Sequence, residues 1–131
     1  MCSRRLSQRN ERESKMQYLL LCCFDEKNWD AMPAKQRDGI MREYGELLRD
    51  LDTSGHHLAS ARLQSTSTAT TVRGRNGKTF VTDGPFAETK EQLGGYHLIE
   101  CRDINEAMDI AKRIPTLPYG GTVEVRPLHR N

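Results

Sequence analysis

The stretch Thr82-Asp83-Gly84-Pro85-Phe86 sets a carboxylate directly ahead of a Gly-Pro turn. A carboxylate presented this way can act as a general base or anchor a ligand's donor group. It can equally spend itself on backbone N–H groups two residues on, as an Asx turn. Phe86 supplies either a pocket wall or a plug for the end of a barrel. Glu88, Lys90 and Glu91 follow, able to orient a polar ligand or simply to line a solvated loop. His56 and His57 are adjacent at the start of a strand candidate, so one must face in and the other out. Histidine titrates near neutrality, which makes proton transfer available to an inward His57; a core imidazole satisfied by a neighbour is the plainer alternative. Arg126 shares a face with Glu124 and is either paired with Glu100 or Glu124 or held open for a carboxylate or phosphate. The expected catalytic residues are therefore Asp83 and His57, and the expected ligand contacts are Pro85, Phe86, Lys90, Tyr96 and Arg126.

Positioning them requires a scaffold, and hydrophobic periodicity supplies one. Residues 16–24 form a continuous apolar run of strand length without alternation, the pattern of a strand covered on both faces. Asp25 to Ala31 reads as a polar connection. After Pro33, the positions Ile40, Met41, Tyr44, Leu47, Leu48 and Leu51 make one apolar stripe on a helix of roughly twenty residues, closed by Gly55. His57 to Leu63 is a second strand, followed by a Ser/Thr-rich stretch. Asn76-Gly77 between two β-prone runs is a hairpin turn of the type that needs φ > 0 at both positions. Gly94-Gly95 leads into a strand over 96–101, with Tyr96, Leu98 and Glu100 on one face and His97, Ile99 and Cys101 on the other. Asp103 and Glu106 form a capping-box pattern for a helix carrying Ala107, Met108, Ile110, Ala111 and Ile114 and ending in Lys112 and Arg113. Thr122 to Arg126 alternates as a last strand. The order β-α-β-(hairpin)-β-α-β predicts an α+β fold, the ferredoxin-like split βαβ plan with an inserted β-hairpin and both helices on one face.

That plan leaves the other sheet face bare, yet Leu19, Leu21 and Cys23 would lie on it. Soluble monomers avoid so large an apolar patch, so a homodimer packed sheet to sheet is expected.

At 131 residues the chain has room for one core. Five cations against Glu11 and Glu13 leave +3 on residues 1–15; with +2 in total, the remaining body carries about −1. A near-neutral body is no nucleic-acid footprint, and the longest apolar run, Tyr18 to Phe24, is too short to span a membrane. Neither nucleic acid nor membrane is an expected partner, no export signal is visible, and a cytoplasmic location is the expectation. Cys2, Cys22, Cys23 and Cys101 lack chelating spacing, so no metal is expected and the cysteines read as small core residues. No Gly-rich phosphate loop, His-Glu-x-x-His or nucleophile elbow is present, and no cofactor is expected.

Thr82-Asp83-Gly84-Pro85-Phe86-Ala87-Glu88-Thr89-Lys90-Glu91-Gln92-Leu93-Gly94-Gly95-Tyr96 closely resembles the signature of the DGPF-motif branch of YCII-related proteins. The flanks 69–73 and 121–128, and Tyr18-Leu19-Leu20-Leu21, are similar to that family as well. The resemblance spans residues 16–128, leaving 1–15 as an added or disordered extension and 129–131 as a tail. It implies a dimeric α+β barrel with a pocket between sheet and loops. Members of the family are commonly encoded beside extracytoplasmic-function sigma factors. Some related enzymes act on small ring compounds through a His and Asp pair, which has no matching position here. Two functions follow as expectations. One is a protein that binds a small molecule near the Asp-Gly-Pro-Phe loop, acting as a cofactor-independent enzyme through Asp83 with His57 or Arg126. The other is a non-catalytic regulatory or partner-binding homodimer tied to a sigma-factor pathway. Asp83 close to a His or Arg in a polar pocket favours the first; Asp83 consumed by its own turn favours the second.

Overall fold

The computed structural model describes residues 15–130. Cys2 and residues 1–14 of the extension expected over 1–15 lie outside them. In chain order the elements are β1 (Met16–Phe24), α1 (Glu26–Ala31), α2 (Ala34–Thr53), β2 (His57–Arg62), β3 (Thr70–Arg75), β4 (Lys78–Asp83), β5 (Gln92–Cys101), α3 (Ile104–Ala111) and β6 (Thr122–Pro127). Strands run in the order β2-β5-β1-β6, every neighbour antiparallel, and β3 pairs with β4 as a separate hairpin. This is the ferredoxin-like α+β arrangement that the element order predicts.

The continuous apolar run of β1 occupies an interior position between β5 and β6. Tyr18, Leu20 and Cys22 face the helices and are buried, together with Ile99 and Cys101 of β5. Leu47 and Leu51 of α2 and Ala107, Ile110 and Ala111 of α3 close over them as one core, with Val123 and Val125 of β6 packed against its side. Leu19, Leu21 and Cys23, on the opposite face, are half-buried. Full burial of Leu20 and Ile99 makes this the stability centre; truncating either to Ala costs about 2–5 kcal/mol.

Three local outcomes differ from the sequence expectations. The connection after β1 is a short helix, because the Asp25 carboxylate accepts the Lys27 N–H at 2.9 Å and caps it. Strand β5 starts at Gln92, earlier than expected, because it pairs with Phe24 and Cys23 at the far end of β1. At α3 Asp103 does accept the Glu106 N–H at 2.9 Å, but Glu106 turns to the Arg102 N–H and to His56 instead of the cap residue's own N–H. This helix also ends at Ala111, ahead of Lys112 and Arg113. The Asn76-Gly77 turn has φ of 53° and 75°, the expected hairpin geometry. Gly95 is a packing requirement: a Cβ there would lie 2.9 Å from the Ala61 carbonyl oxygen of β2.

Candidate functional site

A cleft of about 730 Å³ opens between the helix-facing side of β5 and β2 and the helices α1 and α2. That volume falls within the range of small-molecule sites. Its deep side carries His97, Tyr44, Cys22 and Thr116, and its mouth carries Trp29, Met41 and Arg62. Gly94 and Gly95 form part of its strand floor.

His97 is buried and its ring stacks on Tyr44, with centroids 5.9 Å apart and planes 28° from parallel. Its Nδ1 is buried with no hydrogen-bond partner among the described residues. Burial, with nearby His57 adding to it, lowers the His97 pKa, so the ring is neutral at pH 7. Burial likewise pushes the Tyr44 phenol up to about 12 and the Cys22 thiol up to about 11. Both stay protonated, so Cys22 is a poor nucleophile despite lining the cleft. At the mouth, the Arg62 guanidinium lies 5.5 Å from the Trp29 ring centroid and forms no ion pair with a described residue. The site is thus aromatic, with neutral His97, Tyr44 and Cys22, and its charged lining residues are Arg62, Glu26 and Asp30.

Glu26 and Gln92 hold the rim in shape. The Glu26 carboxylate accepts the Thr66 N–H and hydroxyl, each at 2.9 Å, and Gln92 Oε1 accepts the Glu26 N–H at 2.9 Å. Glu91 accepts the Thr122 hydroxyl at 2.8 Å. The tail of the signature segment therefore fastens α1, β5 and β6 together.

None of Asp83, Pro85, Phe86, Lys90, Tyr96 or Arg126 lines this cleft. Asp83 ends β4 opposite Thr70, exposed, and its carboxylate takes no hydrogen bond or ion pair among the described residues. It is neither consumed by its own turn nor brought to a His or Arg. Pro85, Phe86 and Lys90 are exposed on the loop after it, Phe86 by 75%. Tyr96 is half-buried on the sheet face turned away from the helices, in register with Leu21. Arg126 lies on that face too, 3.8 Å from Glu124, with both side chains largely in water.

His57 reaches the edge of the cleft. Its Nδ1 is 2.6 Å from Asp52 Oδ1 and its Nε2 is 3.0 Å from Ser60 Oγ, and Ser60 lines the cleft. Strict alternation would place His57 and Ser60 on opposite faces. A β-bulge at Leu58 resets the phase, so His57 stands opposite Ile99 and Ser60 opposite His97, both on the helix side. His97, Tyr44 and Ser60 were not singled out in the sequence as site residues; inward phase on β5 and the α2 stripe pointed to the first two, whereas nothing in the pattern announced the bulge.

The YCII-related domain family matches residues 16–130. The chain belongs to the YCII-related family. It is also 41% identical over 114 residues to an uncharacterized protein of Rhizobium meliloti (strain 1021), a match covering 86% of this chain and 92% of that protein. No helix among the described residues is long and apolar enough to cross a membrane.

Proposed function

We propose that this YCII-related protein, of the DGPF-motif branch, binds a small molecule in the cleft beneath α1 and α2 and acts on it without a cofactor, as a cytoplasmic homodimer. The observation that carries the reading is the cleft itself, walled by Phe24, Trp29 and Tyr44, with neutral His97 in its lining and Glu26, Asp30 and Arg62 as its charged groups. Apolar walls from Trp29, Phe24 and Met41 suit a compact, largely neutral body, and Arg62 offers a rim contact for an acidic substituent.

The expected site residues Asp83, Pro85, Phe86, Lys90, Tyr96 and Arg126 take a different place in this proposal. They group on the open sheet face and on the loop and arm beside it, where the second copy docks. Half-buried Leu19 and Leu21 on that face support the docking, because covering them removes apolar area from water. The partner-binding alternative has its own support in the β3–β4 arm, whose Val72, Phe80 and Val81 are more than half or half exposed.

A thermal-shift screen of metabolites against wild type, Tyr44→Phe, Arg62→Ala and Asp83→Ala separates these readings. A stabilising compound lost in the Tyr44 and Arg62 variants and kept in Asp83→Ala supports the cleft. One lost only in Asp83→Ala returns the site to the loop, and no stabilising compound leaves the partner-binding alternative ahead. Light scattering at micromolar concentration reads the dimer; a clean monomer removes it.

A further inference from the structure

We infer that Asp52, His57 and Ser60 form a nucleophilic triad that cleaves small carboxylic esters bound in the cleft. This rests on the cleft being the ligand site and names its reaction. The Asp52 carboxylate only accepts hydrogen bonds, so at 2.6 Å it fixes the His57 proton on Nδ1. Nε2 is then the bare nitrogen, and at 3.0 Å it receives the Ser60 hydroxyl proton. That polarity is what a general base for an alcohol nucleophile requires. Ser60 Oγ makes no other hydrogen bond among the described residues and lines the cleft, so the oxygen is free on the side a substrate would approach.

The backbone supplies a further component. The Leu63 N–H donates to the Gly94 carbonyl at 2.8 Å, which fixes the ladder phase and makes Ser60 and His97 a non-hydrogen-bonded pair. Because β2 is an edge strand, the Ser60 N–H is unspent by sheet pairing and can donate to an oxyanion formed on its own adduct.

In the forward step Ser60 Oγ bonds to the ester carbonyl carbon while its proton passes to His57 Nε2. The tetrahedral adduct collapses, the C–O bond to the alcohol breaks, and His57 returns the proton to that leaving oxygen. Water then attacks the acyl-serine by the same proton route, releasing the acid and restoring Ser60. Asp52 orients the imidazole and offsets its transient positive charge. With its side chain 62% exposed, solvent screens that help, which suits esters with good leaving groups and not amides.

Labelling with a fluorophosphonate and hydrolysis of p-nitrophenyl butyrate test this on the full chain. One covalent adduct is expected, mapping to Ser60, and Ser60→Ala should lose the adduct and about 100-fold or more of the hydrolysis rate. Asp52 is a positioning residue: Asp52→Asn should lower kcat with KM and the circular dichroism spectrum unchanged. An unlabelled wild type, an adduct on another residue, or Ser60→Ala hydrolysing at the wild-type rate overturns the triad. A thermal shift with p-nitrophenyl butyrate distinguishes the two levels of the proposal. If Ser60→Ala shows the shift and Tyr44→Phe does not, the cleft stands whatever the labelling shows; no shift in either protein removes the cleft itself.

Discussion

Two neighbouring histidines, His56 and His57, sit in networks made of the same three chemical parts and do different things with them. His56 Nε2 is 2.9 Å from the Glu106 carboxylate and its Nδ1 is 2.6 Å from Ser54 Oγ. His57 has Asp52 and Ser60 with the ring nitrogens exchanged, the carboxylate at Nδ1 and the hydroxyl at Nε2. The difference lies in how fully each terminal group is committed. Ser54 closes the end of α2, within 3.2 Å of the Leu51 carbonyl, and Glu106 also takes the Arg102 N–H and guanidinium. Every member of that network ties α2, β2 and α3 together. Ser60, by contrast, has a single partner and an open side. A Ser-His-carboxylate row is thus no sign of chemistry by itself; an uncommitted hydroxyl facing a cavity is what separates the two.

The sharpest way to break this comparison is to remove each imidazole in turn. His57→Gln should lower p-nitrophenyl butyrate hydrolysis about 100-fold, whereas His56→Gln should stay within about 3-fold of wild type. Comparable losses in both would mean that the networks are not distinct. Gly95→Ala comes next. The new Cβ meets the Ala61 carbonyl oxygen, so β2 must move from β5, and urea denaturation should show a loss of about 1–3 kcal/mol. Third, Glu106→Gln should cost about 1–2 kcal/mol, because it weakens a charge-assisted hydrogen bond to a mostly buried group, while Asp52→Asn at the exposed site should stay within about 0.5 kcal/mol.

The smallest effects are pH-dependent, and both run the same way, toward lower stability in acid. Hydrogen bonds from Arg102 and His56 outweigh burial, which opposes them, and hold the Glu106 pKa below its ordinary 4.5. Its contribution is therefore complete above pH 4.5 and fades as pH falls through the lower folded value. His97 has a lowered pKa, so the unfolded chain binds its proton first and stability should start to fall as pH drops below 6.5. Chemical denaturation from about pH 7 down to about pH 3 should show the His97 step vanish in His97→Gln while the Glu106 step, at the acid end, persists.

Much of the scaffold was legible in the chain because its signals are local or strictly periodic. The α2 stripe from Ile40 to Leu51, the Asn76-Gly77 turn and the alternation of Thr122 to Arg126 each require one structure with little help from elsewhere. The short helix α1 escaped notice since only Asp25 caps it and Trp29 stabilises it through Phe24, 6.2 Å away edge to face. The cleft was harder to read. Asp83 and Phe86 stand out as residue types, yet they sit on an exposed arm; Tyr44, Ser60 and His97 look ordinary and converge only when α2, β2 and β5 assemble. Period-two reading also hid the link between His57 and Ser60, because one additional residue in the strand changes which side chains are neighbours.

That residue, Leu58, implies an unusual pattern of tolerance. Its side chain is 43% exposed, so what stands there is of little consequence, but that something stands there is decisive. Exchange for Thr or Gln should pass almost unnoticed. Excision would act like a dropped stitch, turning His57 away from Ser60 while leaving both residues in the chain.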